Sequence, residues 1–118
     1  MKFFLTGGAG FVGSHFVDLL IKKNHQVVVY DNLVLGSIKN LKHHYKNKNF
    51  KFFKGDILDF KQLTRLMKGC DVVIHLAANS DIIKSSLRPK IDLENGTLGT
   101  SNVLEAMRKN KIKRIIFT

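Results

Sequence analysis

One stretch of this chain limits its fold more than any other. The apolar run Lys2-Phe3-Phe4-Leu5 passes without a break into Thr6-Gly7-Gly8-Ala9-Gly10-Phe11-Val12-Gly13. Beyond it, Val12, Phe16, Leu19 and Leu20 recur at helical spacing and are expected to form the buried face of a helix ending at Asn24, a residue that tolerates the left-handed conformation. A strand, a glycine turn and a helix in that order aim unpaired backbone N–H groups and the positive end of the helix dipole at one point, which favours an anion. Two spacings overlap in the turn, Gly8-x-Gly10-x-x-Gly13 and Gly7-x-x-Gly10-x-x-Gly13. In a dinucleotide-binding turn the first glycines permit the tight bend. Gly10 then lets the backbone approach a pyrophosphate, and Gly13 lets the helix pack closely. A glycine turn without a ligand is the competing reading. A nucleotide-triphosphate P-loop is excluded, because it needs Gly-Lys-Ser/Thr where this chain has Gly13-Ser14-His15.

The rest of the chain repeats the same grammar. Lys2–Leu5, Gln26–Tyr30, Phe50–Phe53, Asp71–His75 and Arg114–Phe117 are short apolar runs with few polar residues, as in strands buried on both faces of a parallel sheet. Between them, Asp59 and Gln62 form a capping pair ahead of a helix with Phe60, Leu63, Leu66 and Met67 inward, stopped by Gly69. Leu93, Gly96, Thr100, Val103, Leu104 and Met107 mark a longer helix before the last run. Gly96 and Gly99 weaken it locally, which points to close packing or a nearby ligand. Residues 37–48 form a weaker polar helix or a loop. This alternation predicts an α/β Rossmann-type, doubly wound parallel sheet of about five strands in the order 3-2-1-4-5, ending after the fifth. Residues 1–118 are read as one such domain.

Composition narrows the function classes. The 118 residues are 44% hydrophobic and 25% charged, with no apolar run long enough to span a bilayer and no signal-peptide core. A single cysteine, Cys70, rules out an internal disulfide and fits a reducing, cytoplasmic setting. No membrane partner is expected. The net charge of +11 raises the question of nucleic acid, but the lysines are scattered from Lys2 to Lys113 and tryptophan is absent. A solvated lysine-rich surface is the preferred reading, with no nucleic-acid partner. His43-His44 lacks companions at metal-ligand spacing and reads as solvent-exposed, so no metal site is expected. Met67 and Met107 fall on apolar helix faces and read as core.

Two carboxylates follow strands. Asp31 ends Val27-Val28-Val29-Tyr30, about twenty residues past the turn, where a carboxylate accepts hydrogen bonds from a ribose diol and repels a 2′-phosphate. That makes the dinucleotide NAD. As an alternative, Asp31 caps the next turn. Asp56, in Gly55-Asp56-Ile57, takes the equivalent place after the third strand and suits an adenine amino group, although Gly-Asp is also a common turn pair.

With these residues in view, the chain resembles the extended short-chain dehydrogenase/reductase superfamily, and within it the NAD-dependent nucleotide-sugar epimerases and dehydratases. The resemblance rests on Thr6–Gly13, on Asp31-Asn32-Leu33 with Gly36 and Asn40-Leu41, and on Gly55-Asp56-Ile57. It continues through His75-Leu76-Ala77-Ala78 and Asn95 with Gly99-Thr100 and Asn102–Ala106. The resemblance implies that Gly7, Gly10, Phe11 and Val12 hold the pyrophosphate, and that Asp31 and Asn32 bind the adenosine ribose. It places Asp56 and Ile57 beside the adenine, and Leu76, Ala77 and Ala78 along the cofactor through their backbones. Asn95 is expected to shape the cofactor region, or else to be a helix-interior polar residue bonded to backbone. Asn79, Ser80 and Asp81 border the substrate or are ordinary loop polars, and some relatives carry a lysine where this chain has Ser80.

The family's chemistry also implies a Tyr-x-x-x-Lys pair, in which the tyrosine moves a proton on the sugar hydroxyl. Here Tyr30 is followed four residues on by Val34, and Tyr45 by Asn49. No catalytic residue is therefore expected in this chain. It reads as the NAD-binding, N-terminal part of a longer epimerase or dehydratase that takes a nucleotide-sugar substrate and forms a homodimer when full length. A non-catalytic NAD-sensing module is the alternative. A final strand left at the sheet edge is expected to promote aggregation.

Overall fold

The computed structural model describes residues 1–77, 87, 90 and 96–118, with the backbone alone for residues 93–95. Five strands, β1 (Lys2–Thr6), β2 (Gln26–Asp31), β3 (Phe50–Lys54), β4 (Val72–His75) and β5 (Arg114–Phe117), pair in parallel in the expected order β3-β2-β1-β4-β5. Phe4 lies opposite Val28 and Val73, and Leu5 opposite Val29 and Ile74. Because side chains alternate along a strand, Phe3, Leu5, Val27, Val29 and Ile74 share one buried face, and Phe4, Val28, Tyr30 and Val73 the other. Both faces are covered, which is why these runs contain so few polar residues.

Helix α1 (Phe11–Lys22) covers the first face with Val17 and Leu20, and Asn24 follows it with φ 64°, as expected. Its buried side is rotated from the expected one. Val12 and Leu19 are exposed, Phe16 is partly buried, and Gly13 and Ser14 turn inward with Val17 and Leu20. The helix sits so close to the glycine turn that only small residues fit between them.

The second face is covered by α2 (Phe60–Met67) and α3 (Gly99–Lys109). Asp59 caps α2 by accepting the Gln62 N–H at 3.2 Å. The Gln62 side chain does not complete the reciprocal capping box; its Oε1 lies 2.9 Å from the Tyr30 hydroxyl instead. Leu63 and Met67 are fully buried, Phe60 and Leu66 pack at the rim, and Gly69 ends the helix at φ 82°. The longer helix has two parts, a wide π-type stretch Leu93–Leu98 and then α3. Gly99, Val103, Ala106 and Met107 are its buried residues, whereas Leu104 is half exposed. Of the two glycines expected to serve close packing or a nearby ligand, Gly99 is buried, while Gly96 is exposed with no described atom within 4 Å of where its Cβ would stand.

Residues 37–48 hold two short 3₁₀ turns, Ile38–Asn40 and Lys42–His44. Cys70 is buried; burial pushes its thiol up to about 11, so it packs as a small apolar side chain. Among the described residues no helix is long and apolar enough to cross a membrane.

Candidate functional site

The strand order reverses direction between β1 and β4, and the crevice at the carboxyl ends of those strands is where an open α/β sheet admits a ligand. The glycine turn lies in that crevice. Gly7 takes φ 73°, and a Cβ there would come within 2.8 Å of the Ala77 nitrogen, so the turn and the end of β4 are in backbone contact. A side chain at Gly13 would run into the Gly7 carbonyl and come 2.7 Å from Gly8 Cα. Gly13 therefore serves packing of the helix on the turn itself.

The start of α1 is uncapped. Gly10 has no side chain to offer, the first turn carries no acid, and the first N–H engaged by the turn is that of Ser14, bonded to the Gly10 carbonyl at 2.9 Å. Among the described residues nothing accepts from the N–H groups of Phe11, Val12 and Gly13. Three adjacent donors at a helix N-terminus, reached over a floor without side chains, suit a diphosphate. The arrangement fits the pyrophosphate of a dinucleotide. Phe11 and Val12, which carry two of these N–H groups, are exposed at 79% and 54%.

Asp31 stands beside this turn at the end of β2. Its Oδ2 accepts the Ala9 N–H at 3.0 Å and its Oδ1 the Leu33 N–H at 2.8 Å. The turn-capping role weighed from sequence is thus present, but it does not exhaust the group. A carboxylate offers about four acceptor positions, so two remain for a ribose diol. Asn32 accepts the Val34 N–H at 3.0 Å through Oδ1, leaving its amide N–H groups as what it can offer a ligand. The loop beyond is folded back on the turn: the Ala9 carbonyl accepts from Ser37 N at 3.0 Å and Asn40 Nδ2 at 2.9 Å.

After β3, the Gly55 N–H donates to the Asp31 carbonyl at 3.1 Å, and Asp56 Oδ1 accepts the Leu58 N–H at 2.9 Å. The Tyr30 hydroxyl donates to the Asp56 carbonyl at 2.8 Å, and burial raises that phenol to about 12. Ile57 is buried in the core, and its carbonyl accepts from Asn102 Nδ2 at 3.0 Å. Its side chain belongs to the core cluster with Tyr30, Leu63 and Val103. Leu76 and Ala77 are half buried beside Gly7. Ala78 and residues 79–81 lie outside the described residues, as does the side chain of Asn95.

Sequence reasoning missed what holds Leu76 and Ala77. Thr6 Oγ1 accepts from both of their N–H groups at 3.2 Å and lies 2.6 Å from His75 Nδ1. With its lone pairs so used, the hydroxyl hydrogen goes to Nδ1, which assigns the His75 proton to Nε2, 2.9 Å from Thr100 Oγ1. Burial lowers His75 to about 4, keeping it neutral and this relay intact at neutral pH. Thr6 and His75 are 69 residues apart, and only their paired positions on β1 and β4 bring them together. The reading of His43 and His44 as solvent-exposed holds for His43 and needs correction for His44, which is buried; a companion also exists, Asp18 on the neighbouring helix α1.

Known proteins share this architecture. A family model for GDP-mannose 4,6 dehydratase matches residues 4–118. The dTDP-D-glucose 4,6-dehydratase of Dictyostelium discoideum is 40% identical over 121 residues, covering 98% of this chain and 28% of that protein. The UDP-glucose 4-epimerase of Thermotoga maritima, solved with UDP-glucose, superposes with a TM-score of 0.89 at 36% identity, covering 99% of this chain and 37% of that one. The dTDP-glucose 4,6-dehydratase DesIV of Streptomyces venezuelae, solved with NAD and TYD bound, gives 0.91 at 32% identity, covering 98% and 38%. The chain thus spans about a third of the length of these relatives. The ordered motifs, the sheet and the matched span together place this chain in the GDP-mannose 4,6-dehydratase family, among the extended short-chain dehydrogenases/reductases that include nucleotide-sugar epimerases and dehydratases.

Proposed function

We propose that this chain is the NAD-holding portion of a nucleotide-sugar epimerase or dehydratase. The observation that carries the reading is the uncapped start of α1 set beside the Asp31 carboxylate at the strand-order switch. The N–H groups of Phe11, Val12 and Gly13 bind the diphosphate. Asp31 takes the ribose hydroxyls on its two remaining acceptor positions and disfavours a 2′-phosphate by charge, selecting NAD over NADP. The Thr6–His75–Thr100 relay fixes the Leu76-Ala77 backbone against the turn, so that this wall of the site needs no reordering when the cofactor enters. Bound NAD would supply reversible hydride acceptance for chemistry on the sugar. Proton transfer at the sugar hydroxyl falls to a tyrosine–lysine pair that these 118 residues do not contain. The solved dehydratase that holds NAD supports the cofactor, and the relatives' nucleotide sugars support the substrate class.

Titration with NADH, followed by nicotinamide fluorescence, tests this. The chain is expected to bind NADH more tightly than NADPH, and Asp31→Ala to weaken NADH at least about tenfold, or about 1.4 kcal/mol. Denaturation curves run alongside separate lost binding from lost folding. Unchanged NADH affinity in a folded Asp31→Ala variant removes Asp31 from the site, and no binding by the folded parent chain overturns the reading.

A further inference from the structure

Between α1 and the Lys42–His44 turn, three ligand-type atoms converge. Asp18 Oδ1 lies 2.8 Å from His43 Nε2 and 2.5 Å from His44 Nε2, and all three atoms fall within 4.8 Å of one another. Among the described residues this is the one group of histidines, cysteines and acids so arranged. We propose that Asp18, His43 and His44 form a binding site for a divalent transition-metal ion of zinc-like preference, with water completing the coordination.

The donor set is right for such an ion. Two imidazole nitrogens and one carboxylate oxygen are borderline ligands that suit zinc, nickel and copper and leave magnesium and calcium poorly served. Three protein ligands with an open fourth position is a common zinc arrangement, with Zn–N and Zn–O distances of about 2.0–2.2 Å. In a tetrahedron those lengths put ligand atoms roughly 3.3 Å apart, so Asp18 Oδ1 needs to move away from each imidazole nitrogen by less than about 1 Å. Without an ion, Asp18 accepts N–H groups from both rings, and the partners stay aimed at one point. Two exposed ligands, Asp18 at 46% and His43 at 58%, leave a path for the ion and its water.

Both backbones behind the site are fixed. Val17 and Leu20 bury the face of α1 on either side of Asp18. The buried Leu41 anchors the Lys42–His44 turn, and the His44 ring packs on Phe50 at 5.6 Å and against His43 at 4.0 Å between centroids. Preorganisation of this kind lowers the ordering cost of binding. Lys22, one helical turn beyond Asp18, and Lys42 beside His43 oppose a cation, so the affinity is expected to be micromolar and not structural in strength. A bound ion ties the segment after β2 to α1, and the same segment reaches the glycine turn through Ser37 and Asn40. It is therefore expected to stabilise the folded chain, since the three ligands converge on one point only in the native state.

The test is calorimetric titration of the tag-free, chelator-treated chain with zinc chloride, and with cobalt(II), whose visible absorption reports its coordination. One ion per chain is expected, with a rise in Tm. His43→Ala and Asp18→Asn are each expected to weaken binding at least tenfold, while His15→Ala, elsewhere on α1, leaves it unchanged. His43 and Asp18 are exposed enough for both variants to fold, which far-UV circular dichroism checks. Absence of saturable one-to-one binding by the folded parent chain overturns the proposal, as does equal affinity in His43→Ala. Neither result bears on NADH binding, which is measured separately.

Discussion

At one edge of the sheet, β3 alternates Phe50, Phe52 and Phe53 with Lys51 and Lys54, and both lysines face solvent. At the other edge, β5 presents Ile115, Ile116 and Phe117 at 37, 43 and 61% exposure. Exposed lysines blunt an edge against further pairing, whereas β5 has the chemistry of a strand from the middle of a sheet. The contrast continues inward. The β1–β3 half is closed on itself by Gly7 N–H to the Tyr30 carbonyl, Ala9 N–H to Asp31 and Gly55 N–H to the Asp31 carbonyl. The cradle proposed for NAD is therefore built from contacts made within this chain, while the β5 side exposes apolar surface suited to burial.

The closed half depends most on Gly13. Gly13→Ala pushes a methyl group into the Gly7 carbonyl and Gly8 Cα and is expected to destabilise the chain by about 3 kcal/mol, read from urea denaturation. A neutral result would mean that the turn and α1 can separate, and the closed half would not be closed.

The relay beneath Leu76 and Ala77 makes a pH prediction. His75 titrates near its ordinary value of 6.5 when unfolded and at about 4 when folded, so between those values the unfolded chain binds the extra proton. Stability from this group is complete above 6.5 and is lost as the pH falls toward 4, by on the order of 3 kcal/mol. His75→Asn is expected to flatten that part of the stability–pH curve relative to the parent; parallel curves would show that His75 is not the buried neutral group described.

The smallest effect is expected on the open side. Ile116→Lys should change stability by less than about 1 kcal/mol and reduce concentration-dependent self-association in sedimentation velocity. Undiminished association would show that β5 is not the adhesive edge.

The five strands and their order were legible because β-branched and aromatic runs separated by helical spacing leave few topologies open. The buried sides of α1 and α3 were less so, and for a common reason. Gly13, Ser14, Gly99 and Ala106 face the core because the helices approach too closely for larger residues, and a reading that counts hydrophobicity picks Val12, Leu19 and Leu104 instead. At the site, the glycine turn and Asp31 announced themselves by spacing along the chain. The contacts of Thr6 with His75, and of Asp18 with His43 and His44, had no such signal, since they join residues 69, 25 and 26 positions apart.

If the closed half, walled by Leu76 and Ala77, holds the dinucleotide, the backbone amides of both will report it. Amide ¹H–¹⁵N spectra recorded during titration with NAD test it directly. Shifts are predicted for Gly7–Gly13, Asp31–Leu33, Asp56–Leu58, Leu76 and Ala77, with β5 and the Lys42–His44 turn unmoved. A spectrum unchanged at saturating NAD, or shifts centred on the scattered lysines or on β5, would contradict the account.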